Sequence, residues 1–362
     1  MKIRHMGKLF LDNIDRYRFD GSNSYMTKLN KPPLTSAEQG NLWNFYIANT
    51  MSHCMFQPFL TNVEDKRIKA IIKDSDVLSQ RIIDHVTIFF QEENIPLPVG
   101  FSAEKDVNLF APRLFSDEFY LEYIDMMYKL GIIFYSITLP NTSRLDIRQF
   151  IVEIMRDAAT LSNQVTELMH EMGIHVRPPN IPAMDAAEMV QRQSFFNGFF
   201  GNKRPLTGIE ISQLFANIQF NTMKTVLLLG FSQVAKSEDI SNYFIRGKHI
   251  NIKQNSVFSN VLKSEDLPLT MPSQFNITTS QTAPYSEKLM LFHISNLSSA
   301  KLRNFGDSIA VSPRHDLGSI YLRLMVETSN YAEDGGNLLI EHNWMDKPPH
   351  NIDRNLLAKK QK

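Results

Sequence analysis

The chain has very little cysteine: one residue, Cys54, among 362. A lone cysteine cannot form an internal disulfide, which is typical of a protein from a reducing compartment. Because Cys54 stands among apolar residues, we interpret it as buried filler rather than as a nucleophile. The lack of paired cysteines also excludes the usual zinc spacings.

The chain also lacks an excess of charge of one sign, since 38 basic residues balance 38 acidic ones. Proteins that bind nucleic acid usually carry a basic excess or stripe, and disordered solubilising chains are strongly acidic. Neither class is favoured. The composition therefore predicts no nucleic-acid partner and leaves other proteins as the partners to consider.

Long apolar runs are missing as well. The longest, Val226–Phe231 and Gly131–Leu139, fall short of the roughly 20 residues that a membrane-spanning helix needs. Residues 1–19 alternate charged with apolar side chains and show neither the apolar core nor the cleavage site of a signal peptide. We therefore expect no membrane partner and a soluble, cytoplasmic protein.

Motifs of several large enzyme classes are absent. The sequence contains no phosphate-binding loop and no dinucleotide fingerprint after a strand. The stretch Gly230–Val234 lacks the second glycine of a nucleophile elbow. Whether the chain is an enzyme stays open, and a non-enzymatic role is favoured.

What the chain does contain is an internal repeat. With an offset of 172 residues, the following residues coincide: Leu34 with Leu206, Glu38 with Glu210, Asn49 with Asn221, and Phe59 with Phe231. Further along the offset becomes 170, and it then pairs Ser116 with Ser286, Leu121 with Leu291, Arg144 with Arg314, and Asp146 with Asp316. The change of offset falls in a loop, where insertions and deletions are tolerated. We infer a tandem duplication, and the chain length suits two domains.

Each repeat is predicted to form four helices. Thr35 and Thr207, each followed three residues later by Glu, match the capping box that opens a helix. The remaining predicted starts are Asp65 and Ser237 for the second helix, Ser116 and Ser286 for the third, and Thr142-Ser143 and Ser312-Pro313 for the fourth. The predicted ends are near 62, 93, 140 and 172 in the first copy, and near 235, 263, 310 and 342 in the second.

Connection lengths predict the topology. The first and second helices, like the third and fourth, are joined by a few residues and should be antiparallel neighbours. The connection of roughly twenty residues between the second and third helices can travel the length of a bundle. The predicted fold class is therefore all-α, with two tandem ferritin-like four-helix bundles, each with a long crossover between helices 2 and 3. The predicted divisions are 1–30 as an N-terminal extension, 31–177 as the first bundle, 178–205 as a linker, 206–350 as the second bundle, and 351–362 as a C-terminal tail.

The linker contains four phenylalanines: Phe195, Phe196, Phe199 and Phe200. Exposing all of them would be costly, so we expect most to pack against a bundle or in the groove between the bundles. Docking of a protein partner is the alternative.

Four stretches resemble a known family: Asn108 to Asp117, His175 to Pro179, Gly230 to Ser237, and Tyr331 to Gly335. The family is a domain of unknown function from spore-forming bacilli, usually present as two copies, and some members are labelled spore coat proteins. The resemblance covers nearly all of residues 33–355. It implies a ferritin-like fold and a common lineage, and it supplies no catalytic residues.

A ferritin-like bundle raises the question of a metal site. The di-iron pattern needs Glu-x-x-His on two helices, and the chain has one such string, Glu167 to His170, which we interpret as a surface pair at a helix end. With a rise of about 1.5 Å per residue, four other potential ligands are predicted to lie at a similar height along the axis of the second bundle. These are His249, His293, Glu327 and Glu333, which could bind iron, manganese or zinc. The alternative is that they face water or form a buried polar layer.

The first repeat places different polar residues at the matching level: His53, Asp76 and Asp125. This difference argues against a duplicated site. Asn49-Thr50 and Asn221-Thr222 do recur, and we expect these asparagines to form hydrogen bonds inside the bundles that fix the helix register.

Two functions therefore stay open. The first is a non-enzymatic structural or interaction protein, cytoplasmic and associated with sporulation or spores. The second is a metal-binding or oxidoreductase-like bundle with its site in the second repeat. A small apolar ligand held between helices is a third interpretation. The sequence does not predict the oligomeric state.

Overall fold

The computed structural model describes residues 31–199, 203–267 and 277–360, so the predicted extension 1–30 lies outside the described residues. Eight long helices form two groups of four. In the first repeat they are α1 (Ser36–Asn62), α2 (Lys66–Glu92), α3 (Asp117–Thr138) and α4 (Leu145–Glu171). In the second they are α5 (Gly208–Val234), α6 (Glu238–Lys263), α7 (Glu287–Val311) and α8 (His315–Glu341). The predicted fold, two tandem four-helix bundles, is confirmed.

The two capping boxes form as predicted. The Glu38 amide donates to Thr35 Oγ1 at 3.2 Å, and the Thr35 amide donates back to the Glu38 carboxylate at 2.8 Å. Thr207 and Glu210 repeat this exchange at the start of α5. Each box satisfies helix-start amides that have no partner within the helix.

The fourth helix of each repeat begins later than predicted. The residues that precede α4 and α8 are Arg144 and Arg314, and neither side chain caps its helix. The prediction of a start at Thr142-Ser143 and at Ser312-Pro313 was therefore wrong by about two residues. The reason is a long-range contact, because carboxylates from the first helix of each repeat occupy the amides of these turns.

One end of each bundle, here called the clamp end, is closed by a buried ion-pair network. In the first repeat Glu38 accepts the amides of Ser143 and Arg144, both at 2.8 Å. Arg144 then pairs with Glu93, directly after α2, at 2.5 Å. In the second repeat Arg314 donates its amide to Glu210 at 3.2 Å and pairs with Glu265 at 2.6 Å. The clamp end therefore joins the start of the first helix, the end of the second and the turn between the third and fourth.

The opposite end, here called the junction end, is where the third helix begins. Asp117 accepts the amides of Glu64 and Asp65, in the turn between α1 and α2. Glu287 does the same for Lys236 and Ser237 in the second repeat. Since the second helix ends at the clamp end, the connection to the third helix must travel the full length of the bundle, as predicted.

The two repeats meet through these crossover connections. Val107 pairs with Tyr285 and Phe115 with Ile277 in isolated antiparallel bridges. Under the 170-residue offset, 107 corresponds to 277 and 115 to 285, so each bridge is the counterpart of the other. Two backbone hydrogen bonds show the same symmetry: the Asn108 amide donates to the Pro284 carbonyl at 2.9 Å, and the Thr278 amide donates to the Leu114 carbonyl at 3.0 Å. The junction therefore has local two-fold pseudo-symmetry, like the interface of a symmetric homodimer.

A single apolar core spans the junction. It draws on the junction-end halves of both bundles, with Phe115 packed against Phe231 at a ring distance of 6.3 Å. The Tyr285 hydroxyl donates to the backbone of Met55 across the repeats at 2.9 Å. The clamp ends keep separate cores, one around Phe45 and the other around Tyr321. No described helix is both long and apolar enough to cross a membrane.

Candidate functional sites

The four predicted metal ligands of the second repeat do not converge. His249 and Glu333 are exposed. Glu327 is half-buried and forms an ion pair with Lys253 at 2.7 Å. Burial raises the Glu327 pKa, but hydrogen bonds from Lys253 and Gln254 outweigh it, so the pKa lies below its usual value. Glu327 is thus an ionised carboxylate that already has a partner.

His293, the fourth predicted ligand, is fully buried at the junction between the repeats. Its Nε2 lies 3.1 Å from the Tyr123 hydroxyl. Burial, together with the charge of Lys224, lowers the His293 pKa to about 3, so the imidazole is neutral at physiological pH. Positions 123 and 293 correspond under the 170-residue offset, so this contact lies at the pseudo-two-fold axis. Through this contact His293 links the two repeats.

The remaining titratable residues do not supply a metal site either. Within residues 31–199, 203–267 and 277–360, no group of three or more His, Cys, Asp or Glu side chains is arranged to hold a metal ion. Glu167 and His170 are both exposed at the end of α4. The arrangement of the described part therefore gives the metal-binding or oxidoreductase function no support.

Two of the three polar residues of the first repeat do meet. His53 Nδ1 lies 2.7 Å from the Asp76 carboxylate, and Gln57 donates to the same carboxylate at 3.3 Å. The hydrogen bond to Asp76 raises the His53 pKa, although burial opposes it. Asp125 is bound elsewhere, by Lys129 at 2.6 Å. This pair links α1 to α2 and is complete without a ligand.

The recurring asparagines behave differently from the prediction. Asn49 donates to the Phe45 carbonyl of its own helix at 2.7 Å, and the Asn221 side chain has no partner within the described residues. The link between helices is made by the neighbouring threonine, since Asn255 donates to Thr222 Oγ1 at 3.1 Å. The prediction that both asparagines fix the helix register was wrong.

Cys54 is buried, as expected for filler. Burial raises the pKa of its thiol to about 12, and the Asp106 and Asp76 carboxylates contribute. The thiolate, which is the nucleophilic form, is therefore suppressed at neutral pH.

The linker phenylalanines pack less than predicted. Phe195 is half-buried beneath the Arg204 guanidinium, 4.1 Å from the ring centroid. Phe196 stacks on His315 but keeps 43% of its surface exposed, and Phe199 is 58% exposed. Phe200 lies outside the described residues. The prediction that most of the four pack against a bundle is therefore wrong for two of the three that can be described.

Other apolar residues of the linker are also exposed. Met184 is 73% exposed and Met189 is 86% exposed, and Ile181 and Val190 are more than half exposed. We call residues 181–199 the docking segment. Exposed apolar side chains gathered in one segment are a typical mark of a protein-binding site.

Comparison with known proteins shows which family the chain belongs to. A search of curated proteins found no match. A search of solved structures found one described as a "putative spore coat protein" from Bacillus halodurans C-125. It is 16% identical, with 41% of this chain and 98% of that chain covered and a TM-score of 0.37, a value too low to establish a common fold. A family model described as a protein of unknown function, DUF3231, matches residues 24–186 and again 194–357. Because the two matches span nearly the whole chain, the protein belongs to this family.

Proposed function

We propose that this protein is a non-catalytic bundle protein of ferritin-like topology that binds another protein through its docking segment. The observation that carries the proposal is the exposure of Ile181, Met184, Met189, Val190 and Phe199 in one stretch between the bundles. The segment contains few charges, so the partner surface that it fits is apolar.

The docking segment is fixed at its two ends. Just before it, Gln219 of α5 donates to the Val176 carbonyl at 3.3 Å, and at its start a Cβ added to Gly208 would come within 3.2 Å of Ile181 Cδ1. At its end, Gly198 lies so close to α8 that an added Cβ would come within 2.8 Å of the Asp316 Cβ. A segment held at both ends and exposed between them can present apolar side chains at a small cost in conformational entropy.

We propose that the partner occurs in sporulating cells. The family that the sequence resembles comes from spore-forming bacilli, and the solved structure described above carries a spore coat description.

Site-specific photo-crosslinking tests the proposal. A photoreactive amino acid replaces Met189 in the full chain, and sporulating cells that produce the protein are irradiated. We expect one discrete crosslinked product of defined mass. The same product should be lost when Met184→Ser and Phe199→Ser are added, because both changes remove apolar contact area from the segment.

The matched control carries the photoreactive amino acid at Val326, an apolar residue of α8 that is 63% exposed and lies outside the docking segment. We expect no discrete product there. The same product from both positions, or none from Met189, would contradict the proposal.

A further inference from the structure

Two lysines are buried inside the second bundle. Lys224 of α5 and Lys301 of α7 are each 1% exposed. Lys224 Nζ donates to Ser298 Oγ at 2.6 Å, and Lys301 Nζ donates to Asn251 Oδ1 at 2.7 Å. An ammonium has three donors, and these contacts use one on each lysine.

Neither lysine has a counter-charge. No carboxylate of the described residues lies within ion-pair distance of either Nζ, and the nearby Glu327 is bound to Lys253. Burial lowers the pKa of Lys224 to about 7, and burial together with the charge of Lys224 holds the pKa of Lys301 well below its usual value. Each Nζ faces an aromatic ring, Lys224 at 5.5 Å from the Tyr331 centroid and Lys301 at 5.7 Å from the Phe305 centroid, but a ring carries no net charge. The charged form of a buried lysine is unfavourable without a counter-charge, and a bound anion favours that form.

Unpaired amide groups accompany the lysines. Both side-chain polar atoms of Asn221 lack a partner, as do Asn251 Nδ2 and Gln254 Oε1, and all three residues are buried to 98% or more. Buried polar atoms are normally hydrogen-bonded, and these atoms have no protein partner, so they are available to bind a ligand. The unpaired atoms include donors and acceptors, and an amide can exchange the two by rotating.

These residues share one level of the bundle. Spacings of three residues put both members of a pair on one helix face, and this holds for Asn221 with Lys224, for Asn251 with Gln254, and for Ser298 with Lys301. Hydrogen bonds between helices connect the three pairs, and Gln254 extends the network to Thr328 of α8 at 3.2 Å. We call these three pairs of residues the lysine layer.

The first repeat shows that the fold does not need this layer. Under the offsets of 172 and 170, Lys224 corresponds to Ser52 and Lys301 to Gly131. Gln254 corresponds to Ile82, which lies in the apolar core of the first bundle. Two copies of one bundle thus share their clamp ends and their crossovers, and the lysines occur in only one of them.

We propose that the lysine layer is a binding site for a small oxyanion of the carboxylate, carbonate or phosphate type. Such an anion supplies the missing negative charge, and its oxygens accept hydrogen bonds from Lys224, Lys301 and the Asn221 amide. Gln254 also donates to Glu327 at 3.2 Å, and Glu327 reaches the surface beside Lys253.

Thermal unfolding of the full chain tests the site. Wild type and a Lys224→Met, Lys301→Met double variant are compared in an amine buffer, with sodium phosphate, acetate, bicarbonate or chloride added at constant ionic strength. For wild type we expect at least one oxyanion at saturation to raise Tm by about 3 °C or more over chloride. The double variant should fold and show no such difference, because the cations that hold the anion are gone.

Lys253→Met is the matched control, since it removes a lysine from the same bundle outside the lysine layer. This variant should keep the full wild-type response. If circular dichroism shows that the double variant is unfolded, the single Lys301→Met variant replaces it with the same expectation.

Three outcomes would overturn the proposal: equal Tm of wild type in all four anions, the same oxyanion response in the lysine variant, or a response that also disappears in Lys253→Met. A response to phosphate without one to acetate, or the reverse, identifies the class of oxyanion.

Discussion

At the scale of single residues, the buried charges of this protein fall into two groups. Glu210 and Arg314, at the clamp end, are almost fully buried and are surrounded by partners of opposite charge. Lys224 and Lys301 are buried to the same degree and have neutral partners. Breaking a buried ion pair leaves a bare charge and is costly, whereas removing a charge that has no counter-charge relieves a cost. The two groups should therefore respond to mutation with opposite sign.

Lys224→Met tests this difference. In a buffer free of oxyanions at pH 7 we expect the variant to be more stable than wild type by about 1–4 kcal/mol, because on folding the wild type must either bury an uncompensated cation or lose a proton from Lys224, and the variant does neither. Denaturant unfolding gives the two free energies. A variant that is clearly less stable than wild type would show that Lys224 has a compensating partner.

The same variant has a pH signature. The Lys224 pKa is lowered from 10.5 to about 7 in the folded protein, so between these values the unfolded chain binds more protons than the folded one. Wild-type stability should therefore rise from pH 7 to pH 9, by up to ~1.4 kcal/mol per pH unit from this group. The difference between the variant and wild type should shrink over this range. A difference that is independent of pH would contradict the lowered pKa.

Metal content tests the four residues predicted as ligands. His249 and Glu333 face solvent, His293 is hydrogen-bonded to Tyr123, and Glu327 forms an ion pair with Lys253. We expect tag-free protein, purified without chelator, to contain no stoichiometric iron, manganese or zinc by mass spectrometry, and a His249→Ala, Glu327→Ala variant to be indistinguishable from it. About one metal ion per chain that is lost in the variant would restore the metal-binding function.

At the scale of helices, neighbouring helices approach most closely where a glycine, which has no side chain, faces the partner helix. Gly335 of α8 lies against Tyr243 of α6, and an added Cβ would overlap the Tyr243 hydroxyl and come within 2.7 Å of Ser295 Oγ. Tyr243 also stacks on Tyr331, with a ring distance of 4.3 Å. Tyr331 to Gly335 is one of the stretches that carry the family resemblance, and in this structure it packs α8 against α6.

Gly335→Ala and Gly336→Ala form a matched pair of variants on adjacent residues of α8. Gly335→Ala should destabilise the protein by about 1–3 kcal/mol, because the new methyl group forces Tyr243 out of place. Gly336→Ala meets no atom within 4 Å and should stabilise by up to about 1 kcal/mol through helix propensity alone. Denaturant unfolding measures both, and equal effects would contradict the close packing of α6 against α8.

The helix boundaries show what sequence patterns can predict. Capping boxes are local, so the starts of α1 and α5 follow from four consecutive residues. The starts of α4 and α8 depend on Glu38 and Glu210, which are more than a hundred residues away in sequence, and this contact is invisible to local rules.

The candidate metal site could not be predicted from height along the bundle alone. Residues at one height face different directions, and orientation around the helix decides which side chains face inward. His249 is two residues before Asn251, about 200° around the helix, so Asn251 is buried and His249 is exposed. The signal for the lysine layer was present in Lys224, a lysine inside an apolar helical pattern. Its meaning depended on finding no carboxylate opposite, which only the folded structure can show.

At the scale of the whole molecule, the tandem repeat forms the equivalent of a symmetric dimer within one chain. The crossovers exchange equivalent contacts, and the axis passes near Tyr123 and His293. A gene duplication frees such a pair from strict symmetry, and here the interiors have diverged. In the first bundle Lys224 and Lys301 have Ser52 and Gly131 as counterparts, while Asn221 and Asn251 have the buried polar residues Asn49 and Ser79. The two buried lysines are therefore a feature that distinguishes the second repeat from the first.

The shared core predicts that the two bundles unfold together. Separate domains with a small polar interface usually unfold independently, but here Phe115 packs against Phe231, and Tyr285 bonds to Met55 across the junction. We expect calorimetry of the wild type to show one transition, with calorimetric and van't Hoff enthalpies in agreement.

Phe115→Ala should lower stability by about 3–5 kcal/mol and broaden or split the transition, because it removes packing from the junction itself. Phe45→Ala opens a cavity of the same kind in the separate core of the first clamp end, so it should lower Tm while leaving a single transition. Two transitions in the wild type, or the same splitting in both variants, would show that the junction does not couple the repeats.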